Sequence, residues 1–307
     1  MKHLLKTAVA AAMLATLTAC SPTKTEVAAP VAPVEARAAA ISYGDNAAAG
    51  ATFTHDGVTF YYETYGEGEP LLMVHGNGAS IASLGKQIEH FKSKYKVIAM
   101  DSREQGKSGI SDTLISYEQM TDDLAALLDH LKTGPVDVLG WSDGGIEALM
   151  LGMRHPDRVK KLVAMAANLN PSLEAVYPET AAMVKQIAGS LTPEVLATLD
   201  GKKQAKLVNL MANQPNIAPK ALASITAPTL VMSGDQDLIR LEHTVAIFNA
   251  LPNAELAVFP NSTHAAPIDD PELFNATVER FLAAPFKKKD RVGDLIASIE
   301  KMMASSK

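Results

Sequence analysis

One short segment constrains the fold of this chain more than any other: Gly140-Trp141-Ser142-Asp143-Gly144-Gly145. It follows the apolar run Val136-Asp137-Val138-Leu139 and precedes a helix-like segment at residues 146–151. The pattern predicts a strand, a sharp turn and a helix, with a serine at the apex of the turn. Glycines beside the serine would let neighbouring backbones approach closely. The serine would then be presented above the edge of a sheet, although a glycine-rich turn with an incidental serine has the same sequence.

Predicted strands and helices alternate on both sides of this turn. A hairpin with an Asp-Gly turn is predicted at residues 52–63. Apolar runs predict further strands at 70–74, 96–100, 136–139, 159–166, 228–233 and 255–259, with helices at 83–91, 121–131, 146–151, 241–251 and 271–282. Such alternation predicts an α/β fold with a mostly parallel sheet flanked by helices.

The strand signal stops between residues 168 and 226. Three or four short helices fit there, one of them with Thr192 as N-cap, Pro193 at its first position and Gly201 as its C-terminal stop. We therefore expect a small helical lid, inserted over the carboxyl edge of the sheet.

The N-terminus predicts a targeting segment rather than part of the fold. Lys2 and Lys6 precede a short apolar stretch in residues 1–19, which is typical of a secretory signal peptide. The stretch ends in Leu17-Thr18-Ala19-Cys20, which resembles the lipobox of bacterial lipoproteins. The resemblance implies lipidation at Cys20 and a location in the bacterial cell envelope, on the outer membrane facing the periplasm. An ordinary signal peptide with a chance cysteine is the alternative.

Two further segments flank the predicted domain at residues 51–285. Residues 20–50 are rich in Ala and Pro and predict a flexible tether. The apolar spacing in residues 286–307 predicts an amphipathic C-terminal tail. This tail contains six Lys and Arg but only three Asp and Glu. Such a helix could bind a membrane surface or a partner. It could equally pack on its own domain or be a frayed tail.

Composition excludes several classes of function. The net charge of −6 and the pI of about 5.8 argue against nucleic-acid binding. Cys20 is the only cysteine, so the chain offers neither an internal disulfide nor a catalytic thiol. No Cys/His cluster has metal-ligand spacing, and no Gly-x-Gly-x-x-Gly follows a strand. The sequence therefore predicts no cofactor, no metal and a small-molecule partner.

Four segments together resemble the α/β-hydrolase fold, in the order nucleophile, acid, histidine. They are the turn with Ser142, the strand end Gly234-Asp235-Gln236-Asp237, the loop Asn261-Ser262-Thr263-His264, and the turn His75-Gly76-Asn77-Gly78. The resemblance implies that Ser142 is the nucleophile, Asp237 the acid and His264 the base. It also implies that the backbone N–H groups of Asn77 and Asp143 form an oxyanion hole.

Some assignments stay open at this level. Asp235 is an alternative acid to Asp237, because either could cap the following helix. The segment Asp101–Ser108 is similar to a loop of the same family, but Glu104 stands where glycine is usual. Thr263 likewise replaces a usual glycine. His75 is expected to shape its turn rather than to do chemistry.

The turn around Ser142 is also similar to that of valacyclovirase-like hydrolases, which act on amino-acid esters. The likeness implies that the carboxylate of Asp143 helps to bind the substrate's amino group. The alternative is that Asp143 turns away and caps the helix or pairs locally. The predicted function is hydrolysis of carboxylic esters through an acyl-enzyme. Hydrolysis of amide or carbon–carbon bonds by the same triad, and a non-catalytic binding lipoprotein, are the alternatives.

Overall fold

The computed structural model describes residues 41–305. The predicted signal peptide, Cys20 and most of the predicted tether lie outside this range, so the lipoprotein assignment stays a prediction. Within residues 41–305, no helix is both long enough and apolar enough to cross a bilayer.

The described chain is built on one eight-stranded sheet. Its strands are β1 (Gly50–His55), β2 (Val58–Tyr65), β3 (Glu69–Val74), β4 (Tyr95–Met100), β5 (Val136–Trp141), β6 (Val159–Met165), β7 (Thr229–Gln236) and β8 (Ala254–Thr263). They lie in the order β1-β2-β4-β3-β5-β6-β7-β8. Pairing is antiparallel for β1–β2 and β2–β4 and parallel for every other pair. The predicted α/β fold with a mostly parallel sheet is confirmed.

The predicted hairpin is confirmed as well. β1 and β2 pair in register from Gly50 with Glu63 to His55 with Val58. The two turn residues, Asp56 and Gly57, have φ angles of 45° and 73°. Two successive positive φ values are what a tight two-residue hairpin turn requires, and Asp-Gly accepts them readily.

Helices cover both faces of the sheet. They are α1 (Gly85–Phe91), α2 (Tyr117–His130), α3 (Asp143–Arg154), α4 (Pro178–Gly189), α5 (Pro193–Leu196), α6 (Leu199–Asn213), α7 (Leu241–Ala250), α8 (Ala266–Asp269), α9 (Pro271–Ala283) and α10 (Gly293–Ser305). One apolar core contains buried side chains of α2, α3 and α7, and a second contains those of α1 and α9. The inner strands contribute to both cores, as expected for strands that are buried on both faces.

The described fold includes residues that the sequence analysis assigned to the tether. The N–H groups of Gly44 and Asn46 donate to the Glu63 carboxylate at 2.8 and 2.9 Å. The Tyr43 ring packs edge-on against Tyr65, with 5.0 Å between ring centroids. Residues 41–50 therefore belong with the sheet, and the folded part does not begin as late as residue 51.

The insert between β6 and β7 is helical, as predicted, and contains α4, α5 and α6. Thr192 caps α5 and Pro193 opens it. The expectation that Gly201 ends this helix is wrong, because Gly201 lies inside α6. A second cap explains the error: the Thr198 hydroxyl accepts a hydrogen bond from the Gly201 N–H at 3.0 Å. Gly201 fits close to α5, since a Cβ there would lie 1.9 Å from the Val195 carbonyl oxygen.

A buried ion pair ties the loop after β4 to α2. The Arg103 guanidinium donates from Nε and Nη2 to the two oxygens of Asp123, at 2.9 and 2.6 Å. Both side chains are only 1% exposed. The same guanidinium lies 5.4 Å from the centre of the Phe60 ring. Because both charges are out of water, each depends on the other for its solvation.

We predict that Asp123→Asn destabilises the fold by about 3–5 kcal/mol, because it leaves a buried guanidinium without a counter-charge. Asp56→Asn is the matched control: Asp56 lies 3.9 Å from the same guanidinium but is 63% exposed. The control should change the free energy of unfolding by less than about 1 kcal/mol. Urea unfolding measures both variants, and equal effects would contradict a special role for the buried pair.

Candidate active site

The parallel strands bring the predicted site residues to one edge of the sheet. Asn77 follows β3, Ser142 follows β5, Asp237 follows β7 and His264 follows β8. All four strands run in the same direction. Their carboxyl ends therefore meet at one edge, where α/β folds bind their ligands.

Ser142 lies on a strained turn between β5 and α3. Its backbone has φ 59° and ψ −118°, a combination that residues with a Cβ rarely adopt. The turn is crowded on both sides by backbone. A Cβ at Gly140 would lie 1.9 Å from the Gly144 carbonyl oxygen, and one at Gly144 would lie 2.2 Å from that of Val74. Only glycine fits at these two positions, so the turn keeps its sharp geometry.

Ser142, His264 and Asp237 form a hydrogen-bonded chain. The distance from Ser142 Oγ to His264 Nε2 is 2.9 Å, and that from His264 Nδ1 to Asp237 Oδ1 is 2.7 Å. The Asp237 side chain is 1% exposed. Its oxygens also accept from the N–H groups of Gly234 and Ile239, at 3.3 and 3.1 Å. This arrangement lets the imidazole take a proton from the hydroxyl while the carboxylate fixes the ring.

Asp235, the alternative acid, lies elsewhere. Its oxygens accept from the N–H groups of Asn261 and Ser262, at 2.9 and 3.1 Å. These two hydrogen bonds lower the pKa of its carboxyl. Asp235 thus shapes the loop before His264, whereas Asp237 contacts the imidazole.

Trp141 holds the loop that carries His264. This role is not predicted from the sequence. Its indole Nε1–H donates to the His264 carbonyl oxygen at 2.8 Å. The two rings are also neighbours, with centroids 6.3 Å apart. The residue before Ser142 therefore also fixes the loop of His264. Its position inside the conspicuous turn is the only signal that pointed to it.

The turn at residues 75–78 lies directly against Ser142. A Cβ at Gly76 would be 3.0 Å from the Ser142 Cβ. Among the loop and cap hydrogen bonds of residues 41–305, neither the Asn77 nor the Asp143 N–H donates to another backbone group. The Gly78 N–H, in contrast, donates to Gln105 Oε1 at 2.6 Å. Two amides beside the nucleophile are therefore available for a developing oxyanion.

His75 organises this turn from inside the protein, as expected. Its Nδ1 bonds with the Gly76 carbonyl at 2.8 Å, and its Nε2 accepts from the Ser102 N–H at 3.0 Å. Burial lowers the pKa of the imidazole, so the ring is neutral and can accept at Nε2. His75 thereby joins the turn after β3 to the loop after β4.

Asp143 is held by two neutral donors. Its Oδ1 accepts from the Tyr117 hydroxyl at 2.7 Å, and its Oδ2 accepts from the Asn77 side-chain amide at 2.8 Å. Burial raises the pKa of the carboxyl, and these hydrogen bonds oppose that rise. Burial and the Asp143 charge raise the pKa of Tyr117 well above its ordinary value, so the phenol remains a donor. No sequence signal pointed to Tyr117, which lies 26 residues away.

Glu147 lies one helical turn beyond Asp143. It is fully buried, and neither of its carboxyl oxygens has a hydrogen-bond partner in the described chain. Burial, followed by the nearby Asp143 and Asp123, raises its pKa well above the ordinary value. Burial therefore favours the neutral form of Glu147, whereas the two hydrogen bonds that Asp143 accepts favour its ionised form.

A cavity of about 510 Å³ opens onto Ser142, His264 and Asp143. The helical insert supplies most of its apolar wall, through Val176, Ala181, Met183, Val184, Ala188 and Met211. Its polar lining includes Asn77, Tyr117, Asn168, Thr180 and Gln214. Lys185 is the one Lys or Arg among the described residues that line it.

The loop at residues 101–108 keeps its turn without the usual glycine. Glu104 adopts φ 67°, the left-handed conformation that glycine would supply at lower cost. Its Oε1 accepts from the Ser111 N–H at 2.7 Å and from the ammonium of Lys206 at 3.0 Å. Lys206 lies on α6, so Glu104 joins this loop to the helical insert.

Within residues 41–305, no three His, Cys, Asp or Glu side chains are grouped so that they could hold a metal ion.

Comparison with known proteins agrees with the fold. Residues 69–215 match the family model described as the alpha/beta hydrolase fold. Among solved structures, the chain resembles an alpha/beta hydrolase from a Medee basin deep-sea metagenome library. The TM-score is 0.69 and the sequence identity is 20%, over 79% of this chain and all of that one.

Two curated relatives cover most of the described chain. Serine hydrolase BPHL of Mus musculus is 27% identical over 74% of this chain and 84% of its own length. The 2-hydroxy-6-oxononadienedioate/2-hydroxy-6-oxononatrienedioate hydrolase of Paraburkholderia xenovorans is 29% identical over 74% of this chain and 91% of its own length. Only the second name describes a substrate, but both proteins are named as hydrolases. This protein is therefore an enzyme with the α/β-hydrolase fold, homologous to serine hydrolases of the BPHL type.

Proposed function

We propose that this enzyme hydrolyses carboxylic esters through an acyl-enzyme formed on Ser142. The observation that carries the proposal is the hydrogen-bonded chain from Ser142 Oγ through His264 to Asp237, with distances of 2.9 and 2.7 Å. A binding protein would have no use for a strained serine in contact with an imidazole and a buried carboxylate. Lipidation at Cys20, in the cell envelope, remains part of the proposal from sequence alone.

The geometry supports the following reaction. His264 Nε2 takes the proton of Ser142 Oγ as the oxygen attacks the ester carbonyl carbon. The carbonyl oxygen becomes negative and accepts from the N–H groups of Asn77 and Asp143. His264 then protonates the leaving alcohol, which gives the acyl-enzyme. A water molecule, deprotonated by His264, releases the acid and restores Ser142. Asp237 accepts the Nδ1–H and stabilises the imidazolium in both halves.

Charge in the cavity favours esters over dianionic carbon–carbon substrates. The relative from Paraburkholderia xenovorans is named for a dienedioate, a molecule with two carboxylates. Such a substrate needs cations in its site. The described lining of this cavity includes one cation, Lys185, and the buried carboxylate of Asp143 also borders it. An anion beside Asp143 would be repelled in this poorly solvated place. Neutral or cationic esters avoid that repulsion.

The amine-bearing substrates implied by the turn sequence are consistent with the same charge. Each Asp143 oxygen accepts one hydrogen bond, from Tyr117 or from Asn77, and a carboxylate oxygen can accept a second. Asp143 also borders the cavity. A substrate ammonium could therefore bind Asp143 while its ester carbonyl lies over Ser142.

The central test is labelling by a fluorophosphonate, which reacts with activated serines. Ser142→Ala should abolish labelling and lower ester hydrolysis by roughly 10⁶-fold, as loss of the nucleophile does in related triads. Ser224→Ala is the control, because Ser224 is an exposed serine on the insert. A folded wild type that does not label, or a Ser142→Ala variant that does, would contradict the proposal.

The choice of acid is tested by a matched pair of substitutions. Asp237→Asn should lower kcat by about 10⁴-fold, because an amide cannot hold the imidazole in the required tautomer or stabilise its charge. Asp235→Asn should lower kcat by about tenfold at most, since it weakens only the hydrogen bonds to the loop before His264. Steady-state kinetics on a neutral ester measures both. The reverse order would transfer the role of acid to Asp235.

Recognition of an amine is tested by a ratio of substrates. We expect Asp143→Asn to lower the preference for an aminoacyl ester over its N-acetyl derivative by roughly 30-fold, about 2 kcal/mol. Glu147→Gln is the control, because this neighbouring carboxyl is fully buried and does not line the cavity. The ratio of the two kcat/KM values cancels any shared effect on the chemistry. A ratio that is unchanged in Asp143→Asn would remove the amine from the proposal and leave the esterase intact.

A further inference from the structure

The C-terminal helix α10 presents an apolar face to solvent. None of its residues is buried. The exposed large apolar side chains on and just before it are Val292 (65%), Leu295 (59%), Ile296 (50%), Ile299 (44%), Met302 (62%) and Met303 (63%). Their spacing of three and four residues places them along one side of the helix. A monomeric soluble domain rarely exposes a continuous stripe of this kind.

A basic cluster directly precedes this helix. We call Lys287, Lys288, Lys289 and Arg291 the basic cluster; all four are exposed. Only Lys288 has a hydrogen bond to the domain, donated to the Pro252 carbonyl at 3.1 Å. Among the ion pairs of residues 41–305, none involves Lys287, Lys289 or Arg291. These cations are free for an external anion.

The charge of this segment contrasts with that of the whole protein. Residues 287–307 contain six Lys and Arg against three Asp and Glu, while the net charge of the chain is −6. An apolar helical face next to a basic cluster is complementary to an anionic bilayer, whose headgroups attract the cations and whose acyl boundary accepts the apolar side chains.

We propose that α10 and the basic cluster bind the surface of anionic lipid membranes. The helix lies in the interface with Leu295, Ile296 and Ile299 toward the acyl chains. Such a contact is weak by itself, but the predicted lipid on Cys20 would hold the domain close to a bilayer and raise the effective concentration of the helix. The inference concerns docking of the domain and does not depend on the chemistry at Ser142.

A local probe separates this contact from any anchoring through the N-terminus. In full-length protein carrying Cys20→Ala, Ile299→Cys is labelled with an environment-sensitive fluorophore. Ala297→Cys, on the opposite side of the helix, carries the same label as the control. The proteins are mixed with vesicles of phosphatidylcholine containing 30% phosphatidylglycerol, and with vesicles of phosphatidylcholine alone.

We expect a blue shift at position 299 with the anionic vesicles, little shift at position 297, and little shift with the neutral vesicles. Replacing Lys287, Lys289 and Arg291 by Gln should weaken vesicle binding, measured by the shift at 299, on the order of 100-fold, from roughly fivefold per cation. Equal shifts at both positions, or equal shifts with both vesicle types, would overturn the proposal. A shift that rises with protein concentration without lipid would assign the face to a second copy of the chain and also overturn it.

Discussion

The close approach of three backbone segments at the carboxyl edge of the sheet is the constraint on which the candidate site depends. The end of β3, the turn after β5 and the start of α3 meet so tightly that Gly140 and Gly144 have no room for a Cβ. As a result, the backbone of Ser142 adopts the strained conformation φ 59° and ψ −118°. The strain is maintained because β5 is buried between β3 and β6 and cannot shift. At this turn the Ser142 hydroxyl lies 2.9 Å from the imidazole of His264.

Around this turn, polar groups connect segments that are far apart in the chain. The Asn77 side chain donates to Asp143 at 2.8 Å and lies 3.5 Å from the Leu207 carbonyl of α6. Tyr117 of α2 completes the contact with Asp143. The turn at residues 75–78, α2 and α3 therefore meet at the buried carboxylate of Asp143, and the Asn77 amide links them to the insert. A substrate that binds Asp143 would act on groups that also position the proposed oxyanion hole, so binding and chemistry would not be independent here.

The sequence predicted the elements that depend only on residues close together in the chain. The inner strands are short continuous apolar runs, and the Asp-Gly turn at residues 56–57 satisfies its own dihedral requirement. Because the strands that precede Ser142, Asp237 and His264 are parallel, these three residues lie at the same edge of the sheet. What the sequence could not supply depends on distant contacts. Trp141 reaches a carbonyl 123 residues away, and the role of Asp235 depends on a loop 26 residues later. Gly201 does not end the helix that Pro193 opens, because α5 ends before it and Thr198 caps a new helix, a difference that spacing alone does not reveal.

Glu104 illustrates how a departure from a family pattern acquires a role of its own. Glycine would adopt the left-handed turn at this position without strain, whereas φ 67° at Glu104 costs about 1 kcal/mol of backbone strain. Hydrogen bonds to Ser111 and an ion pair with Lys206 on α6 offset part of that cost, and the Glu104 side chain is only 1% exposed. A glycine could make neither contact. The substitution thus exchanges backbone freedom in the loop for a fixed position of the insert. Because that insert forms the apolar wall of the cavity, a residue outside the cavity helps to determine its shape.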